Sequence, residues 1–203
     1  MEINPEIKKV LSEHYGIHDE GARLKSRHGS VEFLTTMKYV EKYLKPGDRI
    51  IEIGAGTGRY SLALAKMGYA VDAVELVDNN VEIIKNGVQS GETINVTQGD
   101  AMDLSAFSSE TYDITLLLGP LYHLFTEIDK KRAFAEALRV TKSGGIIFAA
   151  YIISDASILF NGFKRNAYSI AEFIEKGYID PVTFATRSEP AFLNSSARRI
   201  STG

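Results

Sequence analysis

The chain has 203 residues, no cysteine and a formal net charge of −3. This length suits one α/β domain with a small additional segment, and the slightly acidic balance argues against avid binding to nucleic acid. The absence of cysteine excludes disulfides, thiolate metal ligands and cysteine nucleophiles, and we predict no metal site. The start shows no apolar signal core and no apolar run reaches membrane-spanning length, so we expect a cytoplasmic protein without a membrane partner.

The first part of the chain is predicted to form two helices separated by a loop. Asn4-Pro5 is typical of a helix start, and a short helix to about residue 14 follows. Residues 15–30 are polar and punctuated by glycine, which indicates a loop. Ser30 is then the predicted N-cap of a helix over 31–44, in which apolar residues recur at helical spacing.

Strands and helices alternate after the break at Pro46-Gly47-Asp48. Asp78 is predicted to cap the second helix of this series, and the glycine pair at 144–145 to end the third. The alternation predicts a doubly wound, mostly parallel sheet with helices on both faces. The predicted strands are 49–53, 69–76, 94–100, 112–119 and 145–152, and the predicted helices are 59–68, 78–91 and 129–145.

A glycine-rich turn lies where the first predicted strand meets the first crossover helix. Residues 50–58 read IIEIGAGTG, with glycines at 54, 56 and 58. Glycine lets the backbone turn tightly and approach a ligand closely, and the following helix points its free N–H groups into the same space. Ligands bind in this crevice in open parallel sheets, so the turn predicts a nucleotide or nucleoside loop.

The residues around the glycines distinguish two classes of ligand. A dinucleotide fingerprint has the spacing G-x-G-x-x-G, whereas the third glycine here comes one residue early. Glu52 precedes the first glycine by two residues and would repel a pyrophosphate. Its carboxylate suits a ligand that carries an ammonium or sulfonium group.

The segment IEIGAGTGR resembles the D/E-x-G-x-G-x-G motif of class I S-adenosylmethionine-dependent methyltransferases. Further segments resemble the family in the expected order: DAVEL with Glu75, TQGDAMDL with Asp100, YDITLLLGPLYHL, and LRVTKSGGIIFAAY. The resemblance runs from about residue 31 to 153. It implies the strand order 3-2-1-4-5, S-adenosylmethionine as cofactor and S-adenosylhomocysteine as product.

The resemblance also implies which residues bind the cofactor. It places Glu75 at the ribose hydroxyls and Asp100 near the adenine amino group. Each acid has a structural alternative, since Glu52 could cap the following helix, Glu75 could face solvent and Asp100 could be a turn residue. The implied cofactor-binding residues are Glu52, Gly54, Ala55, Gly56, Gly58, Glu75, Leu76, Asp100, Ala101 and Leu118.

The segment after the fourth strand bears on the methyl acceptor. Methyltransferases that act on adenine or glutamine nitrogen resemble one another in an N/D-P-P-Y/F motif, and this chain has glycine at 119 in place of Asn or Asp. We therefore expect a small-molecule acceptor. His123 is the predicted catalytic base and Tyr122 a predicted acceptor-binding residue, with a packing role in the core as the alternative for each. Tyr15, Arg27 and His28 are predicted lid residues that also bind the acceptor, with solvated loop side chains as the alternative.

The end of the chain does not match the family. Residues 154–203 do not supply the two antiparallel edge strands that usually follow the fifth strand, although 167–179 predicts an amphipathic cap helix. The last ten residues are polar and lack periodicity, which indicates a truncated or frameshifted chain. An exposed fifth strand would then favour a homodimer. The predicted domains are thus an N-terminal helix and lid over 1–30, the cofactor domain over 31–153, and a partial cap over 154–203.

Two other functions stay open at this point. An NAD(P)-dependent oxidoreductase would share the fold, but the glycine spacing and Glu52 oppose it. A domain that binds the cofactor without turnover is the alternative outside enzymology, and the atypical C-terminal segment keeps it open.

Overall fold

The computed structural model describes residues 27–124, 126–151, 158–164 and 169–182. The predicted helix at 4–14, Tyr15 and the last ten residues lie outside these ranges. The chain divides into two compact units. The first contains the described residues up to Leu124 and Ile128–Ala150, and the second contains Thr126, Glu127 and the described residues from Tyr151 onward. The predicted domain boundaries at 30 and 153 stay predictions.

The first unit is built on a five-stranded parallel sheet with the strand order β3-β2-β1-β4-β5. This architecture confirms the predicted fold class and strand order. The strands are β1 (Arg49–Ile53), β2 (Ala70–Glu75), β3 (Ile94–Gln98), β4 (Tyr112–Leu117) and β5 (Thr141–Ala149). The helices of this series are α1 (Arg27–Glu41), α2 (Arg59–Lys66), α3 (Asp78–Gly87) and α4 (Glu127–Val140), with a 3₁₀ turn at Pro120–Tyr122.

Alternating residues of β1 face two separate apolar cores. Ile50 packs with α1 and α2, through residues such as Val40 and Leu64. Ile51 and Ile53 pack on the opposite face against α4. Helices therefore cover both faces of the sheet, as the apolar β1 strand requires. Glu52 falls on the same face as Ile50, which directs its carboxyl group toward α2.

The predicted cap at Ser30 is wrong, because α1 already includes residues 27–29. Gly29 is buried, and its carbonyl accepts a hydrogen bond of 3.3 Å from the guanidinium of Arg59. The same guanidinium lies 4.2 Å from the centre of the Phe33 ring. These tertiary contacts hold helical backbone across a glycine, which local propensity alone would not favour.

The glycine pair at 144–145 does not end α4. β5 begins at Thr141, and its register with β4 shifts between the pairs Tyr112↔Thr141 and Ile114↔Ile146. The extra residues form a bulge in which Gly144 has φ +77°. Asp78 likewise lies in the first turn of α3 rather than at its cap.

A charged cluster attaches α4 to the loop between β3 and β4. Arg139 donates to the carbonyls of Leu104 (2.8 Å) and Phe107 (2.9 Å), and its Nε donates to Glu136 (2.7 Å). Glu136 also accepts from the backbone N–H of Leu104 (2.7 Å). The loop between β3 and β4, which carries Asp100, is therefore attached to α4 through hydrogen bonds with both Arg139 and Glu136.

The described part of the second unit is helical. A π-helix spans Ile158–Lys164 and α5 spans Ile170–Glu175, within the predicted helix 167–179. Ser169 caps α5 by accepting a hydrogen bond from the N–H of Glu172. Phe173 is buried there and its ring lies 5.6 Å from that of Tyr178.

Within the described ranges, none of the helices has the length and apolar character needed to cross a bilayer. The same residues contain no group of three His, Asp or Glu side chains arranged to hold a metal ion.

We expect Arg139→Met to lower the free energy of unfolding by about 2–3 kcal/mol, because it removes the donor of two backbone carbonyls and the ion pair with Glu136. The matched control is Lys85→Met, which breaks an exposed pair with Glu82 and should cost less than about 0.5 kcal/mol. Urea unfolding measures both. Equal effects of the two substitutions would contradict the structural role of Arg139.

Candidate functional site

The glycine loop joins β1 to α2 at the carboxyl end of the sheet. The backbone N–H groups of Gly54 and Ala55 both donate to the carbonyl of Val74, at 2.8 and 3.0 Å. Gly58 precedes α2 and lies against Ile84 of α3. The loop is thus attached to the neighbouring strand, and the N-terminus of α2 faces the same end of the sheet.

Two glycines in this loop serve different purposes. Gly54 has φ +73°, and a Cβ atom there would lie 2.5 Å from Cγ of Pro120. Gly56 has φ +57°, and a Cβ atom there would meet nothing within 4 Å. Gly54 is therefore required by the packing of the Pro120 ring, whereas Gly56 marks the open side of the loop, where a ligand could approach.

Glu75 ends β2 and holds the open side of the loop in place. Its Oε2 accepts from the N–H of Gly56 at 2.8 Å. Its Oε1 accepts from the N–H of Val77 at 2.9 Å and from the amide of Asn80 at 3.3 Å. Glu75 is 5% exposed, so the prediction's alternative of a solvent-facing residue is not what the structure shows.

Glu52 is the second buried acid of the site. Its Oε2 accepts hydrogen bonds from both the backbone N–H (2.8 Å) and the hydroxyl of Ser61, in the first turn of α2. Glu52 is 2% exposed and Ser61 is fully buried. The carboxyl group thus satisfies a helix N–H, the structural role considered from the sequence, and it does so at the edge of the glycine loop.

Burial controls the charge of both acids. Burial raises the pKa of Glu52 from 4.5 to about 8, against the lowering effect of the two Ser61 hydrogen bonds. Burial also raises the pKa of Glu75, against the hydrogen bonds from Val77 and Gly56. None of the ion pairs among the described residues includes either acid.

Asp100 lies in a turn next to the end of β2. The N–H of Gly99 donates to the carbonyl of Glu75 at 3.0 Å, which attaches the end of β3 to β2. The Oδ1 atom of Asp100 accepts from the N–H of Met102 at 2.9 Å. Leu76 and Ala101 pack against one apolar cluster that contains Met102. The structure therefore brings Glu75, Leu76, Asp100 and Ala101 to one side of the glycine loop.

The segment after β4 lies on the other side of the glycine loop. Leu118 packs against the core beneath α1 and α2. Pro120 lies over Gly54, and a Cβ atom at Gly119 would be 3.2 Å from the carbonyl oxygen of Gly54. Tyr122 and His123 follow in the 3₁₀ turn, partly buried, with ring centres 6.4 Å apart. The predicted base His123 and the predicted acceptor-binding residue Tyr122 therefore lie on or next to a turn that packs against the glycine loop.

The structure describes little of the three predicted lid residues. Tyr15 lies outside the described residues, and for Arg27 and His28 only the helical backbone is described. The ligand-binding roles of all predicted site residues stay predictions.

Sequence reasoning missed Ser61, Asn80 and Pro120, which hold the two acids and the loop. Ser61 and Asn80 are polar residues buried in the first turns of α2 and α3. A polar residue on the apolar side of a helix was the signal that could have identified each of them.

The arrangement selects for a particular ligand chemistry. Two buried carboxyl groups with no cationic partner among the described residues favour a ligand that brings positive charge. The Glu75 carboxylate also suits hydroxyl donors, and the apolar surface near Leu76 and Ala101 suits a flat ring. These features fit S-adenosylmethionine, which carries an ammonium, a sulfonium, a ribose and an adenine.

Comparison with known proteins identifies the domain. Residues 51–149 match the family model described as a methyltransferase domain. The chain is 30% identical over 146 residues to ribosomal protein L11 methyltransferase of Bacillus cereus (strain B4264), covering 69% of this chain and 44% of that protein. It is 29% identical over 118 residues to glycine/sarcosine N-methyltransferase of Aphanothece halophytica, covering 57% and 44%.

The fold has a solved counterpart. A crystal structure of a SAM-dependent methyltransferase from Methanosarcina mazei superposes with a TM-score of 0.56 at 23% identity, covering 73% of this chain and 74% of that chain. The chain spans less than half the length of the two curated relatives named above.

Two alanine substitutions distinguish the roles of the loop glycines. Gly56→Ala should cost about 1 kcal/mol of stability, from the left-handed backbone alone. Gly54→Ala should cost at least twice as much, because the new methyl group also collides with Pro120. Urea unfolding measures both, and a larger cost for Gly56→Ala would contradict the Pro120 contact.

The raised pKa of Glu52 predicts how stability depends on pH without ligand. Between about pH 4.5 and 8 the folded protein keeps a proton on Glu52 that the unfolded chain releases. Stability should therefore fall as pH rises through this range, and Glu75 should act in the same direction. In Glu52→Gln the fall should be much smaller. Thermal unfolding across the pH range tests this, and an identical slope in the variant would refute it.

Proposed function

We propose that this chain, whose residues 51–149 match the methyltransferase domain family, is a class I S-adenosylmethionine-dependent methyltransferase that transfers a methyl group to a small-molecule acceptor. The observation that carries this proposal is the pair of buried acids, Glu52 and Glu75, beside the open face of Gly56. Such a site would be repulsive to a pyrophosphate and attractive to a cationic nucleoside.

The three acids would each contact a different part of the cofactor. Glu75 would accept from the ribose hydroxyls, although it already accepts three hydrogen bonds. The bond from Asn80, at 3.3 Å, is the longest of these and is the one we expect to yield to a hydroxyl. Glu52 would face the methionine ammonium, and Asp100 with Leu76 and Ala101 would surround the adenine.

The turn after β4 would hold the acceptor. S-adenosylmethionine supplies an electrophilic methyl group on a sulfonium, so the protein mainly has to align the acceptor and remove a proton. Tyr122 would line the acceptor site and the His123 imidazole would take the proton. A side chain at position 119 would crowd the carbonyl of Gly54. The Asn or Asp that begins the N/D-P-P-Y/F motif of adenine and glutamine methyltransferases would therefore have little room here.

The relatives support two classes of acceptor. Glycine/sarcosine N-methyltransferase acts on small amines by its name, and the L11 methyltransferase acts on a ribosomal protein. We favour a small molecule because the Gly119 position lacks the side chain that would hold an amide or adenine nitrogen. A domain that binds the cofactor without turnover is the remaining alternative. The oxidoreductase alternative loses its support with the family assignment.

Calorimetric titration with S-adenosylhomocysteine tests the cofactor. We expect micromolar binding and none for NADH. Glu75→Gln should weaken the affinity by roughly 10- to 100-fold, because charge-assisted hydrogen bonds are lost. Asp72→Asn is the matched control on the same strand, since Asp72 bonds Tyr112 and Asn95 away from the glycine loop. Binding of NADH in preference to S-adenosylhomocysteine would overturn the proposal.

A methyl-transfer assay with labelled S-adenosylmethionine tests the acceptor class. We expect labelling within a panel of small amines and hydroxy acids and no labelling of ribosomal protein L11. His123→Gln should lower the turnover number by about 10²-fold or more while leaving S-adenosylhomocysteine affinity unchanged. Labelling of L11 alone would replace the small-molecule assignment with a protein acceptor.

A further inference from the structure

Ser61 makes an unusual double contact with one oxygen of Glu52. Its backbone N–H and its hydroxyl both donate to Oε2, and both residues are almost fully removed from solvent. Two donors from one residue fix the rotation of the carboxyl group relative to α2. The other oxygen, Oε1, takes no part in this contact and is left to other partners.

The charged groups around Glu52 do not neutralise it. Glu75, on the neighbouring strand, adds a second negative charge and raises the pKa of Glu52 further. Arg59 on α2 directs its guanidinium to the carbonyl of Gly29 and to the Phe33 ring. Burial raises the pKa of Tyr60, whose hydroxyl bonds the side chain of Thr36, and the nearby charges of Glu32 and Glu52 raise it further.

Two carboxylates buried side by side without a cation are costly, so one of them must stay neutral while the site holds no positive charge. Glu52 is the more buried of the two and has fewer backbone donors, since Glu75 accepts from both Gly56 and Val77. We therefore expect Glu52 to be the protonated acid of the two. A cationic ligand bound beside it would stabilise the ionised form of its carboxyl group and favour loss of the proton.

We propose that Ser61 is a positioning residue that holds Glu52 for the cofactor, and that Glu52 gives up a proton when the cationic group of the cofactor enters the site. The proton passes from the carboxyl group to the solvent buffer, and no other bond changes. This inference rests on the proposed cofactor. Ser61 would set the pH range over which Glu52 loses its proton, because its hydroxyl stabilises the ionised form of Glu52.

The first test needs no ligand. In wild-type protein labelled with ¹³C at the glutamate side-chain carboxyl carbon, the Glu52 resonance should titrate near pH 8, as identified by its loss in Glu52→Gln. In Ser61→Ala the midpoint should rise by about one pH unit, and Ser61→Cys, with a weaker donor of similar size, should lie between the two. A Glu52 resonance that titrates below about pH 5.5 would overturn the inference.

The second test counts protons. S-adenosylhomocysteine keeps the ammonium group, and its binding enthalpy is measured at about pH 7 in phosphate and in Tris, whose ionisation enthalpies differ. Wild type should release close to one proton at about pH 7, where the ligand carries its ammonium group. Glu52→Gln should release none. Ser61→Ala should bind roughly tenfold more weakly at about pH 7, because its Glu52 is harder to ionise, and should still release close to one proton.

Thr115→Val serves as the matched control for loss of a buried hydroxyl. Thr115 is fully buried and bonds Thr141 on the opposite face of the sheet from Glu52. This variant should change stability without changing the proton count. Binding of S-adenosylhomocysteine without proton release at about pH 7 would overturn the inference and leave the cofactor assignment standing. Absence of binding would overturn the cofactor assignment and the inference together.

Discussion

The central constraint on this structure is the burial of two carboxyl groups at the ends of adjacent strands. Glu52 and Glu75 are 2% and 5% exposed, and both are held by neutral donors. The fold can keep them there because backbone N–H groups and one hydroxyl satisfy their oxygens. None of the ion pairs among the described residues includes either carboxyl group, and a cationic ligand would supply the missing positive charge.

β2 is the strand to which the other parts of the site are attached. Its Val74 carbonyl accepts from Gly54 and Ala55 of the glycine loop, while the carboxylate of Glu75 accepts from Gly56. The carbonyl of Glu75 accepts from Gly99, after β3. Two loops that are distant in sequence therefore share one anchor, and the cluster of Arg139 and Glu136 supports the second loop from α4.

Much of the fold followed from the sequence, because apolar strands and amphipathic helices alternate with clear breaks. The strand order came from the family resemblance. The wrong boundaries, at Ser30 and at the 144–145 glycines, lie where tertiary contacts of Arg59 and the β4–β5 register override local preference. For the site, the motif indicated the acids and glycines. The burial of Ser61 and Asn80 could have been suspected from their place on the apolar sides of α2 and α3, but their partners, and the contact of Pro120, depend on how these segments pack.

The contact between Pro120 and Gly54 restricts which residues can occupy the two positions. The ring fills the space that any side chain at 54 would need. A side chain at position 54 would therefore require a change at position 120, although the two residues belong to segments that are distant in sequence. A turn with another residue in place of Pro120 would pack differently against Gly54 of the glycine loop. Substitutions in the turn beyond Pro120 would leave this contact unchanged.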